Sequence, residues 1–164
     1  MNYRYLASFS PGFEAIIPLV LETMVNNTGK IKVLSGLVIF SSTSDPEKIA
    51  LIPVFNNIFL IIKEWNTRSS QFTAMVISVM HSNVLDSFNS CISSFNQKTF
   101  RVRFSKENQF VSVDKKIMKQ IEDHICLSTN LIPDRLNPIA EFWFLTRTEP
   151  YSFYRLGWFW GTPC

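Results

Sequence analysis

Apolar positions in the first 65 residues switch repeatedly between the period of a strand and the period of a helix. The predicted elements are a strand at 3–9, a helix at 13–24, strands at 30–34 and 37–40, a short helix from Asp45, and a strand at 57–63. Pro18 lies inside the first helix, so the helix is expected either to begin near Ile17 or to be kinked. The resulting order, β-α-β-β-α-β, is typical of a ferredoxin-like half-domain.

The rest of the chain predicts a second set of strands and helices. A polar stretch at 66–70 is followed by helical spacing over 71–95, although many of these residues are poor helix formers. A strand at 99–104, a helix after Asp114, and strands at 141–145 and 151–156 complete the pattern. The fold class is therefore α+β. The expected division is a first domain at 1–65, a linker and helix at 66–98, an α/β domain at 99–156, and a tail at 157–164.

The strand at 99–104 and the helix after it both have an apolar face and a basic face. Arg101 and Arg103 alternate with three apolar residues along the strand, so both guanidinium groups are expected on its exposed face. On the helix, isoleucines recur every four residues from Ile117. Lys115 and Lys119 lie opposite this stripe, so they too are expected to be exposed.

Positive charge is concentrated in this part of the chain. The net charge is only +3, yet residues 98–119 hold seven Lys and Arg residues against two acidic ones. Such a cluster attracts phosphates, and it is also found on surfaces that are merely solvated. The candidate RNA-binding residues are Lys98, Arg101, Arg103, Lys106, Lys115 and Lys119.

Composition narrows the class of protein. The chain has 164 residues and is 46% hydrophobic, enough to form a core. Its apolar runs are shorter than the ~18 residues that a membrane span requires, and no secretory signal is visible. Three widely spaced cysteines, Cys91, Cys126 and Cys164, do not form a disulfide framework. These features favour a cytoplasmic protein without membrane partners.

Several kinds of reactive site are not indicated. The five glycines form neither a dinucleotide-binding nor a phosphate-loop motif. His124 and Cys126 are two residues apart on a helix and point to different sides, and no zinc-site spacing is present. We therefore predict no catalytic residue and no metal ligand.

Four short motifs carry a family resemblance. They are Pro11-Gly12-Phe13-Glu14 after the first strand, Gly36-Leu37-Val38-Ile39-Phe40, the strand at 99–104 with its basic helix, and Asn137-Pro138 before the strand at 141–145. In this order they resemble the N-terminal ferredoxin-like plus THUMP region of THUMP-containing RNA methyltransferases. The resemblance covers most of residues 3–156.

The resemblance implies a function in RNA modification. Family members use this region to hold structured RNA such as tRNA, and a Rossmann-like domain transfers methyl from S-adenosylmethionine. That catalytic domain is expected to be missing from this chain, which would then bind RNA without a cofactor. The alternative is a protein-interaction domain or a truncated non-catalytic product, with the aromatic tail at 158–160 covering a partner.

Overall fold

A computed structural model describes residues 2–65, 72–86, 99–107 and 109–147, together with the backbone of 153–160. The chain divides into two compact units. Unit 1 comprises Met1–Ile61 with Phe159–Cys164, and unit 2 comprises Ile62–Trp158. None of the helices in these described stretches is long and apolar enough to cross a membrane.

Unit 1 is built on an antiparallel sheet. Its elements are β1 (Tyr3–Ser8), α1 (Ile17–Met24), β2 (Lys32–Leu34), β3 (Leu37–Ser42), α2 (Pro46–Ala50) and β4 (Asn57–Trp65), which runs on past Ile61. The strands lie in the order β2-β3-β1-β4, with every neighbouring pair antiparallel. As expected, α1 begins at Ile17. Pro18 is thereby in the first turn, where no intrahelical N–H bond is lost.

The core of unit 1 lies between one face of this sheet and its two helices. Tyr5, Val38 and Phe40 are completely buried, and they pack with Ile17 and Leu21 of α1. The rings of Tyr5 and Phe40 stack with centroids 5.2 Å apart. The hydroxyl of Tyr5 donates to a backbone carbonyl, so the one polar atom of this core ring is satisfied.

The Pro-Gly-Phe-Glu motif closes the loop between β1 and α1 onto the β2–β3 hairpin. The Glu14 carboxylate accepts the N–H of Gly12 at 2.7 Å and the N–H of Gly36 at 3.3 Å. Both glycines have positive φ, at 100° and 66°, a region that other residues rarely adopt. Hydrogen bonds from its own backbone N–H, and then from Gly12 and Gly36, lower the pKa of Glu14 despite an opposing effect of desolvation. This motif therefore has a structural role.

Unit 2 has a sheet with a parallel central pair. Its further elements are α3 (Phe72–Met80), β5 (Thr99–Lys106), β6 (Gln109–Phe110), α4 (Lys115–Thr129), β7 (Ile132–Pro133), β8 (Ala140–Arg147) and β9 (Phe153–Trp160). β8 lies between β5 and β9 and is parallel to β5. The two-residue strands β6 and β7 pair with opposite ends of β5 on its other edge.

Aromatic side chains form the core of unit 2. Phe100 and Phe104 of β5 lie beside Phe142 and Phe144 of β8 on one face of the sheet, and all four are buried. The rings of Phe104 and Phe144 stack at 4.8 Å, and Phe72 of α3 meets Phe104 edge-on at 5.1 Å. α4 adds Ile121 and Ile125 to the buried set, as its isoleucine stripe predicts, whereas Ile117 is half-buried.

The helix predicted at 71–95 is wrong in its length. α3 ends at Met80, and residues 81–85 form turns and a bend. Just after the end of the helix, the backbone N–H and the hydroxyl of Ser82 both donate to the Val79 carbonyl at 3.0 Å, a local alternative to regular helical hydrogen bonds. The remainder of that prediction, the linker at 66–70 and the last residues of the tail lie outside the described residues.

We expect Glu14→Gln to destabilise unit 1 in a pH-dependent way. A carboxylate whose pKa is lowered in the folded state stabilises it above the unfolded pKa, and this contribution is lost as the pH falls through the folded pKa. The variant should therefore melt at a lower temperature than the wild type at pH 7, and the two melting temperatures should converge below pH 4.5, the ordinary pKa of the group. Glu22→Gln removes the same charge from an exposed site on α1 and is the control. Equal melting temperatures for the two variants at every pH would contradict the role of Glu14.

Candidate nucleic-acid interface

Arginine and phenylalanine side chains leave opposite faces of β5. Phe100, Val102 and Phe104 are buried against the helices, so Arg101 and Arg103 lie on the other face of the sheet. Both arginines lie on the predicted face of the strand, but their side chains are less exposed to solvent than expected. Only 25% of the Arg101 side chain and 32% of the Arg103 side chain are accessible.

Arg101 is held by a buried carboxylate. The parallel register places Arg101 opposite Glu141 of β8, and Glu141 is 8% exposed. Arg101 Nε donates to Glu141 Oε1 at 2.8 Å, and its Nη2 donates to the same oxygen. The indole N–H of Trp143 donates to Glu141 Oε2 at 2.7 Å. Arg101 therefore compensates a buried charge, which limits what it can offer to a ligand.

Arg103 is less tightly held. Its Nε is 3.9 Å from Glu141 Oε2, too far for a hydrogen bond, and this buried atom has no hydrogen-bond partner among the described residues. Its Cζ lies 4.7 Å from the ring centroid of Phe110, a cation–π contact that orients the guanidinium group. Arg103 is thus positioned by an aromatic ring, and part of its side chain faces solvent.

A groove of about 640 Å³ opens at the edge of β5 beside Arg103. Its walls come from the middle of β5, from β6 with the segment after it, and from the first two turns of α4. The side chains of Arg103, Lys115, Lys119 and Arg135 line it, together with one acidic side chain, Glu122. The structure therefore brings three of the predicted basic residues to one site.

The two lysines of the groove project from the start of α4. Asp114 caps the helix by accepting the Lys116 N–H at 2.7 Å, and the helix begins at Lys115. Lys115 and Lys119 are four residues apart and so share a face. Lys119 Nζ is 3.5 Å from Asp123, but both side chains are well exposed, so this pair holds the lysine weakly.

Arg135 is a groove residue that the sequence did not single out. It lies outside the basic block, in the loop after β7, and 71% of its side chain is exposed. Its Nη2 donates to both Glu122 carboxylate oxygens at 3.1 and 3.2 Å. This pair neutralises the buried carboxylate inside a basic groove. No sequence signal separates Arg135 from an ordinary loop arginine.

The remaining predicted residues lie elsewhere. Lys106 is exposed at the end of β5 and does not line the groove, and Lys98 lies outside the described residues.

Within the described part of the chain, no group of three or more His, Cys, Asp or Glu side chains is placed to hold a metal ion. Two of the glycines form the turns around Glu14, and none of the five belongs to a glycine-rich loop of the kind that holds a nucleotide cofactor. The groove therefore presents mainly basic side chains, those of Arg103, Lys115, Lys119 and Arg135.

Solved structures share this architecture. TrmN from Thermus thermophilus matches 98% of the chain with a TM-score of 0.65 and 13% identity, and the match covers 46% of TrmN. The chain shares its fold with TrmN. The resemblance to THUMP-containing RNA methyltransferases is thereby confirmed at the level of the fold.

Two further structures show the same likeness. A 4-thiouridine synthetase, solved as an RNA complex with bound ATP, matches 96% of the chain with a TM-score of 0.56 and 15% identity. SMU.472, a putative methyltransferase complexed with SAH, matches 95% with a TM-score of 0.52 and 13% identity. The chain covers 41% of each of these proteins, so it spans less than half of the length of all three structures. Neither a protein-family model nor a curated protein sequence matches it.

We expect Glu141→Ala to destabilise unit 2. The substitution leaves the donors of Arg101 and Trp143 without their acceptor, which should lower the free energy of unfolding by about 2 kcal/mol. Asp123→Ala is the control, because it breaks the exposed pair with Lys119 and should cost less than about 1 kcal/mol. Urea denaturation at neutral pH measures both values. A loss for Glu141→Ala no larger than that of the control would mean that the buried carboxylate does not hold β5 to β8.

Proposed function

We propose that this chain binds RNA through the groove at the edge of β5. The observation that carries the proposal is the convergence of Arg103, Lys115, Lys119 and Arg135 on one cavity. Phosphate oxygens are the acceptors that Arg and Lys side chains meet most often in nucleic-acid complexes. Contacts of this kind position an RNA and carry little base specificity.

The start of α4 supports an anionic ligand. Lys115 and Lys116 occupy its first turn, which contains no acidic residue. Cations at a helix N-terminus are unfavourable, because the helix dipole is positive there. A phosphate in the groove would meet both the lysines and the positive end of the dipole. The arrangement costs some stability in the free protein and is favourable once an anion is bound.

The proposed roles of the two units follow from the resemblance to THUMP-containing RNA methyltransferases. We propose that unit 1 is a ferredoxin-like domain and unit 2 a THUMP-like domain, and that unit 2 holds structured RNA, with tRNA as the expected species. The β-α-β-β-α-β order with strands β2-β3-β1-β4 and the RNA in the 4-thiouridine synthetase complex support this. Methyl transfer would then belong to a separate catalytic domain, outside units 1 and 2, and the cysteine pattern favours a cytoplasmic location.

Replacing the two groove lysines tests the proposal. We expect Lys115→Ala with Lys119→Ala to weaken binding of a tRNA transcript and to reduce the salt dependence of log K by about two units, because two phosphate contacts are lost. Fluorescence anisotropy across a range of salt concentrations measures both quantities. Unfolding temperatures should stay close to the wild-type value, because both side chains are exposed.

A matched control removes the same charge elsewhere. Lys30→Ala with Lys48→Ala takes two exposed lysines from unit 1, outside the groove. This variant should keep most of the affinity and of the salt slope. Equal losses in the two double variants would mean that only net charge matters. Unchanged affinity in the groove variant would show that the basic cluster is merely solvated.

A second measurement tests the cofactor proposal. We expect the purified chain to show no heat of binding with S-adenosylmethionine in isothermal titration calorimetry, because it has no glycine-rich donor loop. Titration with tRNA under the same conditions provides the positive control. Saturable binding of S-adenosylmethionine at micromolar concentration would refute this proposal and would leave the RNA proposal standing.

A further inference from the structure

An exposed aromatic ring stands at the rim of the groove. Phe110 is 64% exposed, although it belongs to the short strand β6. Its ring contacts Arg103 through the cation–π interaction, and its centroid is 5.3 Å from that of Trp143 at an interplanar angle of 45°. A large part of this ring is therefore open to solvent and can be reached by a ligand.

The ring is also fixed in place. Phe110 pairs with Ser105 of β5, and the next residue, Val111, donates its N–H to the Phe104 carbonyl at 3.0 Å. The backbone is therefore tied to the sheet on both sides of the ring. A ring fixed before binding loses little conformational entropy when a ligand stacks on it.

The groove combines three surfaces that a nucleotide requires. Phe110 supplies a π surface, Val113 and Met118 supply apolar wall, and Lys115 and Lys119 supply positive charge. Its volume of about 640 Å³ is in the range of small-molecule sites. A regular RNA duplex would contact only the lysines, through its phosphates. Its paired bases are stacked on one another and do not stack on a protein ring.

We infer that the groove takes one unpaired nucleotide of the RNA, with its base stacked on Phe110 and its phosphate beside Lys115 and Lys119. The inference rests on the proposed RNA binding and adds the kind of RNA feature that the site selects. Glu122 does not oppose the phosphate with an uncompensated charge, because Arg135 holds both of its oxygens. Stacking on an aromatic ring tolerates every base, so the selection is for an unpaired nucleotide and not for a sequence.

Two hairpin RNAs with the same stem test this inference. One is fully paired, and the other has a single bulged nucleotide replaced by 2-aminopurine, whose fluorescence falls when it stacks. We expect the wild type to bind the bulged RNA about tenfold more tightly than the paired RNA and to quench the probe. Phe110→Leu keeps apolar bulk but removes the π surface, so it should lose the tenfold preference and the quenching. Phe110→Trp should retain both.

The outcomes separate this inference from the RNA proposal. Equal affinity of the wild type for both hairpins, without quenching, would overturn the stacking inference and leave RNA binding intact. Absence of binding to either hairpin and to tRNA would refute the RNA proposal itself. Quenching by the wild type does not depend on any variant, so the inference stays testable even if Phe110→Leu folds poorly.

Discussion

The alternation of side chains along β5 is the constraint on which the rest of unit 2 depends. From Phe100 to Phe104 every second residue of this strand is a buried Phe or Val, and the two residues between them are arginines. Because β8 runs parallel and in register, its phenylalanines fall beside those of β5, and Glu141 falls opposite Arg101. A shift of one residue would bury guanidinium groups among aromatic rings, so the core and the charged face specify the same register.

Because of this register, Arg101 and Arg103 have different roles. Glu141 is buried and needs a cation, and Arg101 supplies it, whereas Arg103 turns toward Phe110 and the edge of the sheet. Within the described part of the chain, β6 and β7 pair with the two ends of that edge. Its middle forms a wall of the groove. The binding surface is therefore produced by the same strand that holds the core together.

The sequence predicts those parts of the fold that local patterns specify. Asp114 and the isoleucine spacing predict α4 where it is found, and alternation predicts the face on which Arg103 lies. The groove depends on contacts between distant segments, which no local pattern records. Arg135 lies in a loop two residues after Pro133, and Phe110 lies in a strand of two residues, too short for any periodicity. The end of α3 was missed because the apolar spacing continues through Val84 and Leu85, past the residue at which the helix ends.

The parallel pairing of β5 and β8 also affects how unit 2 folds. Parallel neighbours cannot be joined by a tight turn, and Arg101 and Glu141 are 40 residues apart along the chain. The chain must order α4 and close this long loop before the central pair gains its contacts, an entropic cost that slows folding. The β2–β3 hairpin of unit 1 closes across a two-residue turn and avoids that cost. During synthesis, unit 2 consequently exposes the phenylalanines of β5 until β8 has emerged, and an unpaired apolar strand of this kind is prone to aggregation in a nascent chain.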